Sequence, residues 1–349
     1  MITNSAFLEN DVTLLLKDIT GLVEPQPAEE RERLIQSGVS YCEMLPIEYT
    51  PSEAYFEEYV YALDNFSRIT AFAVQTVAEK ILAKKGKNVV LVSLARAGIT
   101  VGVLIKRYLY NKYKINAAHY ALSIIRGMGI DNNAVKYVLE RHNPENIQFV
   151  DGWTGKGAIS GELAKETARY AGLSPELAVI CDPAGITPLC GTHEDFLIAS
   201  SCLNCTVSGL ISRTFYRRDI IADTDFHGAM VYGELRDMTY EFISRTESLF
   251  DYKTLLEADE IALYNGIVET AEIAEDFGIG NINLIKPSVG ETTRVLLRRV
   301  PEVVLIAENA EEKFVAHIVK LAEDKGVRVV RYPLRNYRAV GIIKNIADL

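Results

Sequence analysis

The amino-acid sequence predicts an α/β protein in which a parallel sheet forms the core, with a helical N-terminal extension and a small α/β/α domain at the C-terminus. Two apolar, β-rich runs, residues 87–94 (KNVVLVSL) and 147–150, are each followed by a loop of small residues and a helical pattern. Continuous apolar runs of this kind are typical of strands buried on both faces of a parallel sheet. Shorter helices and strands alternate again over residues 291–343, which predicts a second, three-layer domain.

Composition limits the class of protein. The chain has 349 residues, of which 48% are hydrophobic and 24% charged, so it is long enough for two or three globular domains. The N-terminal residues MITNSAFLENDV lack the pattern of a signal peptide, and no apolar run approaches the roughly 20 residues that span a bilayer. Five cysteines at irregular spacing favour a reducing compartment over a disulfide framework. We therefore expect a cytoplasmic protein with no membrane partner.

The N-terminal third is predicted to be helical. The tetrapeptide TPSE at 50–53 is a capping box that predicts the start of a helix over 51–63. A short helix over 28–36 is predicted before it, and a second amphipathic helix is predicted over 67–84. The four predicted segments of the chain are an N-terminal extension (1–50), a core domain (51–234), a helical connector (235–280) and a C-terminal domain (281–349).

The core domain is predicted to contain five strands with helices between them. In order, we predict strand 87–94, helix 100–110, strand 117–125, helix 133–141, strand 147–150, helix 158–170, strand 177–181 and strand 196–199. A loop with two glycines, RGMGID (126–131), follows the second strand and is expected to be mobile.

The loop after the third strand is a candidate anion site. Asp151 ends the strand, and the loop 152–157 (GWTGKG) leads into the N-terminus of the next helix. Unpaired backbone N–H groups in a small-residue loop and at a helix N-terminus suit a phosphate. The spacings of a P-loop and of a dinucleotide-binding glycine motif are both absent. On these residues alone, a phosphate cradle and an ordinary turn between strand and helix both stay open.

The segment after the fourth strand carries cysteines and a histidine. Asp182 stands at the end of that strand, where open parallel sheets bind ligands. Two residues separate the members of each of two pairs, a spacing that suits zinc, and these residues are Cys190, His193, Cys202 and Cys205. The alternative interpretation is that the cysteines are buried near a strand.

The C-terminal domain differs from the rest of the chain in charge. Residues 281–349 hold 12 Lys and Arg against 8 Asp and Glu, a net charge of +4, whereas the remainder carries −14. Within this domain we predict helix 291–299, strand 303–307, helix 310–325, strand 327–332 and strand 339–343, after a connector that is helical and acidic. A basic segment on an acidic body indicates a polyanionic partner, with random scatter of surface charge as the alternative.

The order of motifs along nearly the whole chain resembles that of a known family. The motifs are IQSGVSYCEMLPIEYTPS, SLARAG, RGMGID, FVDGWTGKG, DPAG, SSCLNCTVSGLISRT and DFHGA. They are similar to those of the phosphoribosyltransferase family of bacterial tellurium-resistance and stress gene clusters, and residues 282–344 are similar to the Pelota-like RNA-binding domain that often follows. The resemblance implies a type I phosphoribosyltransferase-like sheet. It also implies Mg²⁺-dependent transfer of a 5-phosphoribosyl group from phosphoribosyl pyrophosphate (PRPP) to an unidentified nitrogenous acceptor.

The same resemblance implies roles for residues in the loops of the core domain. The implied catalytic residues are Asp151, which would hold the ribose hydroxyls, and Arg96 and Arg126, which would hold the pyrophosphate. The residues implied to bind PRPP are Ser93, Ala97, Gly98, Asp151, Gly152, Thr154, Gly155, Lys156, Gly157 and Asp182. Lys136, Arg141 and His142 are further basic residues after the second loop. The sequence departs from the family's pattern at Gly152, where a second acid would stand, and it implies no set of metal ligands.

The tail's resemblance implies RNA as a partner. On the predicted helix, one cationic face would consist of Arg294, Arg298 and Arg299, with Arg328, Arg331, Arg335 and Arg338 nearby. The alternative is that these residues solubilise the domain, which would then serve for docking or for forming a homo-oligomer.

Two other functions stay open. The missing acid at Gly152 favours a non-catalytic regulator that senses PRPP and binds RNA through its tail. The family also carries the description cysteine protease StiP, which implies a thiolate beside a histidine. For that activity the candidate pairs are Cys202 or Cys205 with His193 or His227.

Overall fold

The computed structural model describes residues 7–27, 30–31, 33–34, 37–47, 53–125, 127–202, 211–231, 238–253 and 264–345. Residues 7–253 of this set form a body around a mostly parallel sheet, and residues 264–345 form a smaller tail domain. Among the described helices, none has the length and apolar character that crossing a membrane requires.

The body contains nine strands and five α-helices in the part of the chain that is described. In chain order they are β1 (Thr13–Leu14), β2 (Lys17–Asp18), α1 (Glu53–Lys85), β3 (Val90–Ala95), α2 (Ala97–Tyr113), β4 (Ala118–Ile125), β5 (Gly129–Ile130), α3 (Asn132–Leu139), β6 (Ile147–Trp153), α4 (Ala158–Thr167), β7 (Leu177–Cys181), β8 (Cys190–Thr192), β9 (Gly228–Ala229) and α5 (Met238–Glu247).

The central sheet has the strand order β1-β4-β3-β6-β7-β8, and all of these neighbours are parallel. The short strand β5 pairs antiparallel with the end of β4, and β2 and β9 form a separate parallel pair. Alternate residues of the strands face two helical layers: Leu91 and Val150 pack with α1 and α2, and Val92 and Phe149 pack with α3 and α4. Since the strands are parallel, the carboxyl ends of β3, β6 and β7 lie at one edge of the sheet.

The tail domain has three layers, as the sequence predicts. Its elements are α6 (Gly266–Asp276), β10 (Ile285–Pro287), α7 (Val289–Arg298), β11 (Pro301–Ala307), α8 (Glu312–Asp324), β12 (Arg328–Tyr332) and β13 (Ala339–Ile343). The strand order is β10-β13-β11-β12, with β13 antiparallel to both of its neighbours and β11 parallel to β12. Val304 of β11 packs toward α7 and α8, and Leu305 packs toward α6. Helix α6, which falls inside the predicted connector, therefore supplies one layer of the tail.

The tail docks on the body through aromatic rings and a buried acid. The rings of Phe66 in α1 and Phe314 in α8 stack with centroids 5.6 Å apart. The buried carboxylate of Asp195 accepts hydrogen bonds from the backbone N–H groups of Val289 (2.9 Å) and Arg338 (2.8 Å). Body and tail therefore share one apolar core.

The predicted strands at 177–181 and 339–343 are confirmed with their limits, but the two helices predicted over 51–63 and 67–84 are one continuous helix. At the predicted break, Asn65 and Ser67 donate their side-chain hydrogens to the carbonyls of Tyr61 and Leu63, one turn earlier. Polar side chains that bond back in this way do not end the helix. The capping residues 50–52 and parts of the predicted helix 28–36 lie outside the described residues.

Two predicted features of the body have a different form. The strand predicted over 196–199 is absent from this described segment. The structure instead has a strand that was not predicted, β8. A Cβ on Gly191 in β8 would lie 2.1 Å from the carbonyl oxygen of Ala73 in α1. Close approach of α1 therefore determines this strand. The glycine loop 126–131 ends in β5, and Asp131 caps α3 by accepting from the N–H groups of Asn133 and Ala134.

Candidate functional site

The residues predicted to hold pyrophosphate are engaged in packing. Ser93 has no exposed surface, and its hydroxyl lies 2.7 Å from Nε2 of the buried His119. A Cβ on Gly98 would lie 2.3 Å from the carbonyl oxygen of Val150, so this glycine allows α2 to approach β6. Ala97, the first residue of α2, lies 3.5 Å from the position of a Cβ on Gly152. These small residues fit two elements together.

Of the two arginines predicted to hold pyrophosphate, only Arg96 is among the described residues. Arg96 donates through Nη1 to the carbonyl of Ile211 at 3.2 Å, in a segment that covers the sheet edge. Arg126 lies outside the described residues.

The tail domain engages the loop 152–157. Lys156 donates to the carbonyls of Ile282 and, at 3.0 Å, Ile285. The carbonyl of Gly155 accepts a hydrogen bond of 2.6 Å from the hydroxyl of Tyr337. The ammonium of Lys156, on which a phosphate site would depend, is therefore bonded to the tail, and the carbonyl of Gly155 is a second contact between this segment and the tail.

The helix start after this loop is also covered. Gly157 has φ +76°, a conformation that favours glycine, and it precedes the first residue of α4. A Cβ there would lie 3.1 Å from Ile267 of α6 and 3.3 Å from Ile186. The N-terminus of α4 therefore faces apolar side chains.

Asp151 lies where β6 meets the tail. Its carboxylate accepts a 2.8 Å hydrogen bond from the N–H of Gly152. Burial raises the pKa of Asp151 to about 7, with Arg294 acting to lower the pKa and Glu291 acting to raise it. Arg294 itself pairs with Glu291 at 2.8 Å and lies over the ring of Trp153. Asp151 is therefore an acid at the seam between body and tail.

A second loop at the same sheet edge brings together Asp182, Cys190 and His193. Asp182 follows β7, the chain turns, and β8 returns beside β7 with Cys190 next to Val179. His193 follows β8 directly. Cys190 Sγ lies 3.5 Å from His193 Nε2 and 3.8 Å from Nδ1. His193 Nδ1 lies 2.9 Å from the backbone oxygen of Asp182 and 3.6 Å from its Oδ2.

The turn after β7 fixes the carboxylate of Asp182. This carboxylate is fully buried and accepts hydrogen bonds from the N–H groups of Ile186 (2.8 Å) and Thr187 (3.0 Å) and from the hydroxyl of Thr154. Burial raises the pKa of Asp182, and these hydrogen bonds act against that rise because they favour the ionised form. Thr154, predicted to bind phosphate, instead supports this acid.

The contacts of His193 determine its tautomer. A carbonyl oxygen can only accept, so the Nδ1 atom beside the Asp182 carbonyl carries the proton and Nε2, 3.5 Å from Cys190 Sγ, is unprotonated. Burial raises the pKa of Cys190 to about 11, although Lys80 acts to lower the pKa. The thiol is therefore protonated at neutral pH. Because Sγ lies almost as close to Nδ1 (3.8 Å) as to Nε2 (3.5 Å), the imidazole must turn before the thiol can donate its hydrogen to the Nε2 lone pair. This arrangement allows proton transfer from sulfur to the imidazole, with the Asp182 carboxylate close enough to favour the imidazolium.

The other described histidines have other contacts. His227 lies 3.0 Å from the hydroxyl of Ser123, His142 lies 2.9 Å from the hydroxyl of Tyr120, and His317 lies 2.9 Å from the hydroxyl of Thr293, all measured from a ring nitrogen. The described cysteines besides Cys190 are Cys42, Cys181 and Cys202, and each is buried. Cys205 lies outside the described residues. Within the described part of the chain, the thiol–imidazole contact found is the one between Cys190 and His193.

His193 lies on a cleft of about 310 Å³ between body and tail. Its side chain is 21% exposed, whereas Cys190 is 1% exposed. The body contributes His193, Glu194 and Asp195, and the tail contributes residues 307, 309–311 and 334–338. Arg338 crosses the cleft as an ion pair with Glu194. A ligand in the cleft would meet charges of both signs and the exposed edge of the imidazole.

The predicted RNA-binding arginines are divided by the structure. Arg294 faces the body, as described above, whereas Arg299 is exposed at the end of α7. Arg335 pairs with Glu272 of α6 at 3.0 Å. Of Arg298 only the backbone is described.

Sequence reasoning named all three members of the Asp182, Cys190 and His193 cluster without grouping them. The sequence predicts Asp182 as a PRPP-binding residue, and it predicts Cys190 and His193 as zinc ligands together with Cys202 and Cys205. The sequence pattern that could have predicted the cluster is an acid at the end of one strand and a Cys-x-x-His at the next strand. Adjacent parallel strands bring such residues together.

Comparisons with known proteins agree along the chain. Residues 5–247 match the model of the family described as tellurite-like stress resistance cysteine protease StiP, and residues 264–345 match the model of the PELOTA RNA binding domain. A protein of Acinetobacter baylyi named "Cysteine protease StiP" is 32% identical over 369 residues, covering 98% of this chain and 94% of the relative.

These comparisons correct the predicted activity. The family and the relative are described as cysteine proteases, so the predicted phosphoribosyl transfer, with PRPP as substrate and Mg²⁺ as cofactor, is wrong as the main function. The structure provides a physical reason, because the loop 152–157 is bonded to the tail. The predicted stress-resistance family and the Pelota-like tail are confirmed.

Proposed function

The chain belongs to the family described as tellurite-like stress resistance cysteine protease StiP, and from this premise we propose that it is a cysteine peptidase with Cys190 as the nucleophile. The observation that carries the proposal is the contact of 3.5 Å between Cys190 Sγ and His193 Nε2, with Nδ1 held by Asp182. Nucleophile, base and orienting group therefore stand in the order that nucleophilic catalysis requires.

In the proposed reaction, His193 Nε2 takes the proton of the Cys190 thiol as sulfur attacks the carbonyl carbon of a peptide bond. The tetrahedral intermediate collapses when the C–N bond breaks, and the leaving amine takes the proton from Nε2. A thioester on Cys190 remains. Water then attacks the thioester, giving its proton to Nε2, and the C–S bond breaks to release the carboxylic acid and restore the thiol.

Asp182 supports this sequence in two ways. Its carbonyl keeps the proton on Nδ1, so that Nε2 is free to accept. Its carboxylate lies 3.6 Å from Nδ1 and stabilises the imidazolium that forms during attack.

The substrate would enter through the cleft between body and tail, since this is where His193 is exposed. Because Cys190 is 1% exposed, the peptide reaches sulfur when the walls of the cleft separate. The ion pair between Arg338 and Glu194 joins those walls and is therefore a contact that opening would break.

A direct test is hydrolysis of a protein substrate such as casein, together with a fluorogenic peptide mixture, by the full-length chain. We expect activity that iodoacetamide abolishes, with the carboxamidomethyl group found on Cys190 by mass spectrometry. Cys190→Ala and His193→Ala should be inactive. Cys202→Ala is the matched control, since it removes another buried thiol and should retain activity.

One result would contradict the proposal: activity that survives in folded Cys190→Ala. If Cys202→Ala is inactive at the same time, Cys202 would replace Cys190 as the candidate nucleophile. Circular dichroism of each variant separates a loss of chemistry from a loss of fold.

The match of residues 264–345 to the PELOTA RNA binding domain supports a second proposed property, RNA binding by the tail. Three exposed basic residues lie at one end of its sheet: Arg299 follows α7, Arg328 pairs with Val303, and Lys344 bonds to Val300. These exposed side chains offer an accessible cationic surface.

Filter binding of single-stranded RNA to the full chain tests this surface. The logarithm of affinity should fall with the logarithm of salt concentration by about 0.7 per phosphate contact. The double variant Arg299→Ala and Arg328→Ala should reduce that slope, while Lys80→Ala on the body should not. Equal slopes for wild type and the double variant would exclude this surface.

The finer features expected from the sequence stay predictions. These are a type I phosphoribosyltransferase-like topology of the sheet, a cytoplasmic location and a homo-oligomeric state.

A further inference from the structure

The cluster of Asp182, Cys190 and His193 presents a thiol, an imidazole and a carboxylate within 4.8 Å of one another. We propose that these three side chains also form a binding site for one Zn²⁺ ion, which holds the peptidase inactive while it is bound. The binding site stands on the geometry alone, whereas its inhibitory effect rests on the proposed function.

The distances fit the metal. With metal–sulfur bonds of about 2.3 Å and metal–nitrogen or metal–oxygen bonds of about 2.0 Å, ligand atoms in a tetrahedral site lie roughly 3.3 to 3.6 Å apart. His193 Nδ1 lies 3.8 Å from Cys190 Sγ and 3.6 Å from Asp182 Oδ2. Small shifts of side chains would therefore bring all three atoms into the coordination sphere.

The chemistry of the donor set selects the ion. A thiolate and an imidazole favour Zn²⁺ over Mg²⁺ or Ca²⁺, which prefer oxygen ligands. Two buried groups that are anionic when bound, the thiolate of Cys190 and the carboxylate of Asp182, balance the double charge of the ion. Three protein ligands leave a fourth position, which water can fill from the cleft beside His193.

Metal binding and catalysis need different states of the same imidazole. In the catalytic arrangement Nδ1 carries a proton and donates to the Asp182 carbonyl. In the metal site Nδ1 must be deprotonated to bind Zn²⁺, and the thiol of Cys190 must release its proton. The ion therefore occupies the nucleophile and removes the orientation of the base at once.

Hydrogen bonds hold the proposed metal ligands in fixed positions. The Asp182 carboxylate is held in place by the backbone N–H groups of Ile186 and Thr187 at Oδ2 and by the hydroxyl of Thr154 at Oδ1. The backbone oxygen of Cys190 accepts a 2.9 Å hydrogen bond from Lys80, which fixes β8 at the ligand. Cys190 thus lies in β8, and Asp182 and His193 directly follow β7 and β8, which are neighbouring strands of one sheet.

The test is titration of chelator-treated full-length protein with Co²⁺, followed through the charge-transfer absorption of a cobalt–thiolate bond, and with Zn²⁺ under equilibrium dialysis and metal analysis. We expect one ion to bind per chain, with release of protons. Zn²⁺ should displace bound Co²⁺. Loss of a ligand in Cys190→Ser or His193→Asn should weaken binding at least about a hundredfold, since even supporting residues contribute ten- to a hundredfold. Cys42→Ser and His142→Asn are the matched controls and should bind as wild type does.

The binding and activity measurements separate the two proposals. Failure of the folded wild type to bind one Zn²⁺ at micromolar free metal, or undiminished binding by Cys190→Ser, would overturn the metal site. Stoichiometric binding without any peptidase activity in the chelator-treated protein would leave the site standing and overturn the proposed function. Peptidase activity that stays constant as Zn²⁺ occupies the site would overturn the inhibitory role.

Discussion

Two segments at one edge of the central sheet differ in what they contact. The segment 152–157, which covers the end of β6 and the turn into α4, contains the glycines, the threonine and the lysine that suggest a phosphate site, and the tail domain bonds to it through Tyr337. The segment 182–193 around β8 has a less distinctive sequence, yet it places a thiol, an imidazole and a carboxylate together beside a cleft. The difference lies in the bonding partners: the segment 152–157 is bonded to the tail domain, whereas Asp182 and His193 bond within the body and leave His193 on the cleft.

The largest expected difference between the loops is in catalysis. Cys190→Ala removes the proposed nucleophile and should lower kcat/KM by at least about a thousandfold, as loss of a nucleophile does in related chemistry. Asp151→Asn alters the other loop and should change kcat/KM less than about threefold. Hydrolysis of one fluorogenic peptide by both variants makes the comparison, and equal losses would mean that the loop 152–157 takes part in the reaction.

Stability should show the next largest difference. Asp182→Ala leaves the N–H groups of Ile186 and Thr187 without their buried acceptor, at about 1 to 3 kcal/mol for each group. Asp151→Ala removes one hydrogen bond from Gly152, and we expect a loss of about 1 kcal/mol. Urea unfolding of both variants measures the two losses. A smaller loss of stability for Asp182→Ala than for Asp151→Ala would contradict our expectation that the hydrogen bonds of Asp182 contribute more to stability than those of Asp151.

The pH dependence of stability should identify Asp151 as a half-buried acid without catalytic use. Its folded pKa of about 7 lies above the ordinary value of 3.8, so the folded state holds the proton more tightly. The associated stability is present below pH 3.8, declines as pH rises, and is lost above about 7, with a slope of up to about 1.4 kcal/mol per pH unit. In Asp151→Asn, the free energy of unfolding measured with urea should decline less between pH 5 and 7. An unchanged decline would mean that a group other than Asp151 causes it.

The smallest effect concerns the contact that covers the loop 152–157. Tyr337→Phe removes the hydrogen bond to the carbonyl of Gly155 and should cost about 1 kcal/mol. Hydrogen exchange should rise in the loop 152–157 of this variant, while Tyr332→Phe, which loses a bond to Asp276 within the tail, should leave that exchange unchanged. No change in either variant would show that the tail covers this loop by packing alone.

Much of the fold is predictable because it depends on local pattern. The apolar runs of β3, β6 and β7 fix the parallel sheet, and the limits of β7 and β13 agree with the prediction. The break predicted in α1 was wrong, because Asn65 and Ser67 bond back to the helix and do not end it. Whether such a side chain bonds inward or caps a new helix depends on its rotamer, which the sequence pattern does not specify.

By itself the sequence determined the limits of β7 and β13, the acid at Asp182 and the Cys-x-x-His that follows, since these are features of chain order, whereas β6 extends to Trp153, beyond its predicted end at 150. Tertiary structure decided that Cys190 lies beside His193, because β8 forms where Gly191 allows α1 to approach. It also decided that the loop 152–157 is covered, because Tyr337 and Ile285 reach that loop from more than a hundred residues away in the chain. Such contacts depend on how a distant domain docks, and docking is set by the shape and burial of whole surfaces that no single motif encodes.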